Sequence, residues 1–130
     1  MQFGLGSRKG AEMRVKAQLS RLLDPYKSKT ETRWAQIGAA WMGGCYGVDV
    51  LEWRYEPISF TLPGGSYKPD FMYIFSDGMV IFVEVKGSTH QKNYRDARSK
   101  LRAAAELYPW FVFCEVKPVG SNWDIEEIKI

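Results

Sequence analysis

The chain has 130 residues, 45% of them hydrophobic and 15% aromatic, which suits one compact domain with its own core and excludes a disordered chain. A formal net charge of +3 is only mildly basic, so a nucleic-acid partner must be argued from where Lys and Arg sit. No apolar run approaches the ~20 residues of a membrane span, the N-terminal MQFGLGSRKG has no long apolar signal region, and Cys45 and Cys114 make neither a disulfide framework nor a zinc cluster; a soluble, cytoplasmic protein without a membrane partner is expected.

Residues 11–23, AEMRVKAQLSRLL, put Val15, Leu19, Leu22 and Leu23 at helical spacing, with Arg14, Lys16 and Arg21 off that stripe, until Asp24-Pro25 stops the pattern. This predicts a basic helical arm over 1–27 ahead of a core over 28–130, in one domain. A second helix is expected to open at Ser28, where S-K-T-E matches a capping box with Glu31 in third place, and to end at Gly43-Gly44. Its inward stripe would be Trp34, Ala35, Gly38, Trp41 and Met42. Residues 48–62 read as extended, with a break at Pro57, before Pro63-Gly64-Gly65 turns the chain.

Two strands over about 69–75 and 79–86 follow, around Ser76-Asp77-Gly78, and their apolar faces predict central places in a covered sheet. Beyond Gly87 come a basic helix over about 91–107, an apolar strand in WFVFCEV and a last alternating stretch, WDIEEIKI. The order predicts an α/β fold with a mixed central sheet flanked by helices. The 91–107 helix would cross over between roughly parallel strands.

The chemistry concentrates in KPDFMYIFSDGMVIFVEVKG, residues 68–87. Side chains two apart on a strand share a face, so Glu84 and Lys86 point one way while Val83 and Val85 point the other. With a three-residue loop, Phe75 pairs with Met79, and counting back sets Asp70 opposite Glu84 with Cβ atoms ~5 Å apart. A two-residue loop centred on Asp77-Gly78, which that dipeptide favours locally, would instead oppose Asp70 to Val85 and split the cluster across two faces. The chemistry requires the longer loop.

Like charges opposed on a sheet repel. A divalent cation resolves the repulsion, and two carboxylates completed by water and phosphate oxygens are what Mg²⁺ prefers. A lysine at the rim can then orient the attacking water or stabilise charge developing on a phosphate. E-x-K alone is a common tripeptide that reads as a solvated strand-end pair. The Pro69-Asp70 that precedes it by a hairpin's interval, and the Gly87 that follows, favour a phosphodiesterase site.

Pro69-Asp70 followed across a hairpin by Glu84-Val85-Lys86 resembles the signature of the PD-(D/E)XK nuclease superfamily, over about 28–116 of this chain. YEPISFTLP, YKPDF and FVEVKG are similar to phage endonuclease I and related Holliday-junction-resolving enzymes, and to small phage nuclease-like proteins. The resemblance implies a restriction-endonuclease-like core and a Mg²⁺-dependent DNA endonuclease, with Mn²⁺ as a substitute and branched DNA as a candidate substrate. Asp70 and Glu84 would be metal ligands and Lys86 the catalytic amine. In that superfamily the helix before the sheet often supplies a further glutamate, which here would be Glu31. Its other reading is the capping-box partner of Ser28. Glu56, beside Pro57, is a second acidic candidate. A phage enzyme would work in the cytoplasm of its bacterial host.

On the 91–107 helix, Lys92, Arg95, Arg98 and Arg102 recur at three- or four-residue steps and make a basic stripe. That stripe reads either as a DNA-backbone contact or as an ordinary solvated face. His90, a lone loop histidine, and the five tryptophans carry no separate function. A nuclease cutting two strands in one encounter needs two sites, which implies a homodimer by symmetry. The competing reading is a nucleic-acid-binding module that keeps the fold without turnover.

Overall fold

The computed structural model describes residues 25–87 and 94–130. The helix expected over 11–23, His90 and Lys92 lie outside the described residues.

Helix α1, Lys29–Tyr46, starts where the capping signal predicts. Ser28 is extended, and its side chain accepts the Glu31 N–H at 3.1 Å. The helix outruns its predicted end. Gly43 and Gly44 stay helical, and the left-handed residue that stops the chain is Gly47, with φ 66°, whose N–H returns to the Gly43 carbonyl. A glycine within a helix costs stability relative to alanine without ending it; a stop needs positive φ. The buried face carries Glu31, Trp34, Gly38 and Met42, while Ala35 and Trp41 lie half-buried at its margin. Gly38 lets helix and sheet approach closely, because a Cβ there would run into the Tyr73 hydroxyl and the Trp34 ring.

The stretch over 48–62 forms two strands. β1, Val50–Tyr55, ends before Glu56, which has φ 45°, and Pro57, which has no N–H to continue a ladder. β2, Phe60–Leu62, pairs with β3, Gly65–Tyr67, in a separate hairpin closed by Pro63-Gly64, where Gly64 has φ 80°. β4, Phe71–Phe75, and β5, Val80–Val85, follow. Helix α2, Tyr94–Leu107, leads to β6, Val112–Val119, and β7, Asn122–Glu127.

The five-stranded sheet has the order β1-β4-β5-β6-β7. β1, β4 and β5 form an antiparallel meander, β5 and β6 run parallel across the α2 crossover, and β7 returns antiparallel. This is the mixed α/β sheet that the sequence predicts. Trp34 and Met42 of α1 pack on one face against Phe71, Tyr73, Phe75, Ile81, Val83 and Val116. On the other face, Leu101, Ala104 and Ala105 of α2 pack with Phe82 and Phe113 and with Phe60, Leu62 and Tyr67 of the small hairpin. Both faces are covered, which explains why β4 and β5 read as nearly continuous apolar runs.

Candidate active site

The β4–β5 ladder pairs Phe71 with Val83, Met72 with Phe82, Tyr73 with Ile81 and Ile74 with Val80. At the turn, the Phe75 N–H donates to Met79 O at 2.9 Å and the Gly78 N–H donates to Phe75 O at 3.0 Å. Gly78 is left-handed at φ 89°, and the Asp77 carboxylate accepts the Met79 N–H at 3.0 Å. This is the three-residue loop, and one step beyond Phe71 and Val83 brings Asp70 level with Glu84. Asp70 does touch Val85, but through its side chain: the Val85 N–H donates to Asp70 Oδ2 at 2.8 Å.

Asp70 and Lys86 are buried, at 9% and 3% exposure. Glu84 is half-buried, and its Oε2 accepts the Tyr67 hydroxyl at 2.7 Å. The Lys86 N–H extends the parallel ladder to Val116 O at 2.7 Å, which holds the residue one step past β5 on the face Glu84 occupies.

Glu31 is buried at the start of α1. Its Oε2 accepts the Lys27 N–H at 2.9 Å and the Tyr55 hydroxyl at 3.0 Å. The capping box is thus displaced by one residue, since Ser28 caps Glu31 while Glu31 reaches back to Lys27 instead of Ser28. The charge of this carboxyl is felt by both Asp70 and Glu84. Of the capping box expected here, the Ser28 half is present, and the Glu31 carboxylate binds Lys27 and Tyr55 instead. Glu56 pairs instead with Lys27 at 2.9 Å and Lys68 at 3.9 Å.

The basic stripe on α2 divides. Arg95 and Arg102 are exposed. Arg98, expected to face DNA, is committed within the protein: its Nη1 meets buried Glu115 at 2.6 Å and its Nη2 meets Glu126 at 2.5 Å. The physical reason is that Glu115 stands beside Glu84 in the parallel ladder, and a buried carboxylate demands a paired cation. Sequence reasoning passed over Glu115 and Tyr67. A glutamate inside the apolar run WFVFCEV was the available signal for Glu115. For Tyr67 it was the aromatic three residues before Asp70.

Asp70 and Glu84 open into a cleft of about 230 Å³, also lined by Lys27, Tyr67, Lys68, Asp96 and Lys100, the last two paired at 3.6 Å. Burial holds the Asp70 carboxyl far above its usual range, the charge of Glu84 adds to this, and the Val85 N–H opposes it. Glu84 is raised too, first by burial, with Tyr67 and Lys86 pulling it back down and the charges of Glu31 and Glu115 adding to it. The site thus attracts positive charge, as protons or as a cation. Among the described residues no three His, Cys, Asp or Glu side chains gather into a ready-made metal group. Mg²⁺ asks for less, since it commonly uses one or two carboxylates with waters and phosphates, and the Asp70/Glu84 donor set fits that pattern.

A pH dependence follows from these shifts. Both carboxyls hold protons more tightly when folded than when unfolded, so the folded state binds more protons, and stability in EDTA falls as pH rises above the ordinary carboxylate range through neutrality. Each unit of upward shift corresponds to about 1.4 kcal/mol. A loss of roughly 5 °C or more in Tm is expected between about pH 5 and pH 8, and Ca²⁺ should reduce that loss. Calorimetric melts across this range, with EDTA and with Ca²⁺, check it; a flat profile in EDTA contradicts it.

No protein-family model matches the chain, and no curated protein matches it at a significant level. The solved structure titled "Crystal structure of SSO0001" is similar at 13% identity and a TM-score of 0.36, covering 92% of this chain and 77% of that one. Likeness at that level carries no argument about fold family or activity.

Proposed function

We propose that the protein is a Mg²⁺-dependent endonuclease hydrolysing DNA phosphodiester bonds, with a restriction-endonuclease-like core and branched DNA as its substrate. The observation that carries this reading is the meeting of Asp70 and Glu84 in one cleft, with buried Lys86 on the Glu84 face and three lysines on the walls. The order α1, β1, β4, β5, α2, β6 around the sheet supports it further, because it puts Asp70, one residue ahead of β4, beside Glu84 on the neighbouring central strand β5.

Asp70 and Glu84 would hold the ion, with Mn²⁺ as a substitute; when bound, it activates water and polarises the phosphate. Glu31 adds negative charge behind them. Lys86 supplies a fixed positive charge where the phosphate becomes more negative during attack. Lys27 and Lys68 line the cleft with side chains 71% and 54% exposed; both pair with Glu56 and would turn from it to the phosphates on either side of the cut. Arg95 and Arg102 extend the basic surface along α2, and a homodimer would supply the second site for a second strand. Location in a bacterial host's cytoplasm belongs to the same reading.

The test is a panel of linear, forked and four-way DNAs incubated with Mg²⁺ and with EDTA. Cleavage only with Mg²⁺, strongest on branched forms, is expected. Binding to the same DNAs without cleavage in Mg²⁺ or Mn²⁺ would instead favour the non-catalytic binding module.

A further inference from the structure

We infer that Tyr67 is a positioning residue of this site: its hydroxyl orients the Glu84 carboxylate for a divalent cation, and the β2–β3 hairpin exists in this fold as the mount that delivers it. The inference rests on the metal reading of Asp70 and Glu84. Tyr67 is 5% exposed, so its ring is held by packing, and its hydroxyl donates to Glu84 Oε2 at 2.7 Å. A carboxylate at the end of a strand can rotate about its side-chain bonds, and one short bond from a rigid ring removes much of that freedom. Partners of this kind, which touch the ligand residue and not the ion, set a metal site's affinity.

The hairpin is built to hold that hydroxyl still. It lies outside the main sheet's hydrogen bonding, so no ladder fixes its position. Phe60, paired directly with Tyr67 across the hairpin, fixes it instead. Its ring packs 4.9 Å from Phe82, 5.3 Å from Phe113 and 4.7 Å from Tyr108, centroid to centroid. The Tyr108 hydroxyl adds a 2.8 Å bond to Thr61 O. The aromatic cluster that anchors Phe60 thus sets the place of the residue opposite it, and through Tyr67 the orientation of Glu84.

Tyr67→Phe removes the hydroxyl and keeps the ring. In calorimetric titration of the whole chain with Ca²⁺, its affinity is expected to fall by about 10-fold or more, while its Tm in EDTA stays within a few degrees of the parent. Excess Mg²⁺ should restore much of its cleavage. In a Glu84→Ala background, where most Ca²⁺ affinity is already gone, the same change should cause no further loss, the mark of one coupled unit. Phe60→Leu, which loosens the mount without touching the hydroxyl, should lower Ca²⁺ affinity to an intermediate degree. Should Tyr67→Phe bind Ca²⁺ like the parent while Glu84→Ala loses it, the inference is overturned and the metal reading survives. Should Ca²⁺ binding be absent in the parent, or indifferent to Glu84→Ala, the metal reading fails and Tyr67's role fails with it.

Discussion

Replacing Asp70 or Glu84 by alanine is expected to abolish Mg²⁺-dependent cleavage while the protein stays folded. Each change removes one of the two carboxylates proposed to hold the ion, and Mg²⁺, which dehydrates reluctantly and keeps few protein ligands, is poorly held by the one that remains. Stability responds in a more particular way. Burial holds both carboxyls above their usual range, the charge of Glu84 adding to this at Asp70 and the charges of Glu31 and Glu115 at Glu84, so each isolated change removes a carboxylate that folding must bury, and losing the Glu84 charge also relieves Asp70. Alanine at 70, however, also strands the buried Val85 N–H that Asp70 accepts at 2.8 Å, and an unpaired buried donor costs about 1–3 kcal/mol. Alanine at 84 likewise strands the Tyr67 hydroxyl. Asp70→Asn and Glu84→Gln separate the two effects, since each keeps an acceptor oxygen and loses the charge. In EDTA at about pH 8 these isosteres should melt above the parent, and the alanine variants should melt near it or below it. Cleavage should be lost in all four. A variant that cuts branched DNA at the parent rate in Mg²⁺ would remove its residue from the site.

How legible the site was depended on whether local and distant signals agreed. Asp77-Gly78 by itself favours a two-residue turn. The longer loop was recoverable only by asking which register brings Asp70 to Glu84, and the ladder from Phe71 to Ile74 has that register. The second helix's start was written in Ser28 and Glu31, because a cap is a contact between near neighbours. Its end was misjudged because the sequence presents three glycines, at 43, 44 and 47, and only the backbone conformation tells which becomes left-handed. Arg98 shows the limit most plainly. Its spacing on α2 matches that of Arg95 and Arg102, yet Glu115 and Glu126 claim its guanidinium. Those partners come from β6 and β7, and no periodicity on one helix can foresee them. Tyr67 was hidden for a related reason: it reaches Glu84 only because Phe60 docks a separate hairpin over the sheet.

Lys86→Ala is expected to lower the cleavage rate by ~100-fold or more and to change DNA affinity little. The contrast among the lysines is the reason. Lys27 and Lys68 line the cleft mouth with side chains 71% and 54% exposed, which suits ground-state contact with a polyanion once they turn from Glu56. Lys86 is 3% exposed, so its charge acts in a poorly solvated place, where a preorganised cation aimed at developing charge is worth far more than in water. Its effect also reaches Glu84, whose proton it helps to remove. Without Lys86, Glu84 should hold its proton to higher pH, and since ion binding needs the ionised carboxylate, the acid limb of the pH–rate profile should move to higher pH. The variant's deficit should therefore be greatest in mildly acidic buffer and shrink as pH rises, without vanishing. Single-turnover rates across pH, beside Kd for the same DNA in Ca²⁺, separate the roles. A rate loss with unchanged Kd and a shifted acid limb fits both actions of Lys86. An affinity loss equal to the rate loss would make it a phosphate-gripping residue, the role proposed for those at the mouth, and the transition-state role proposed for it would be withdrawn.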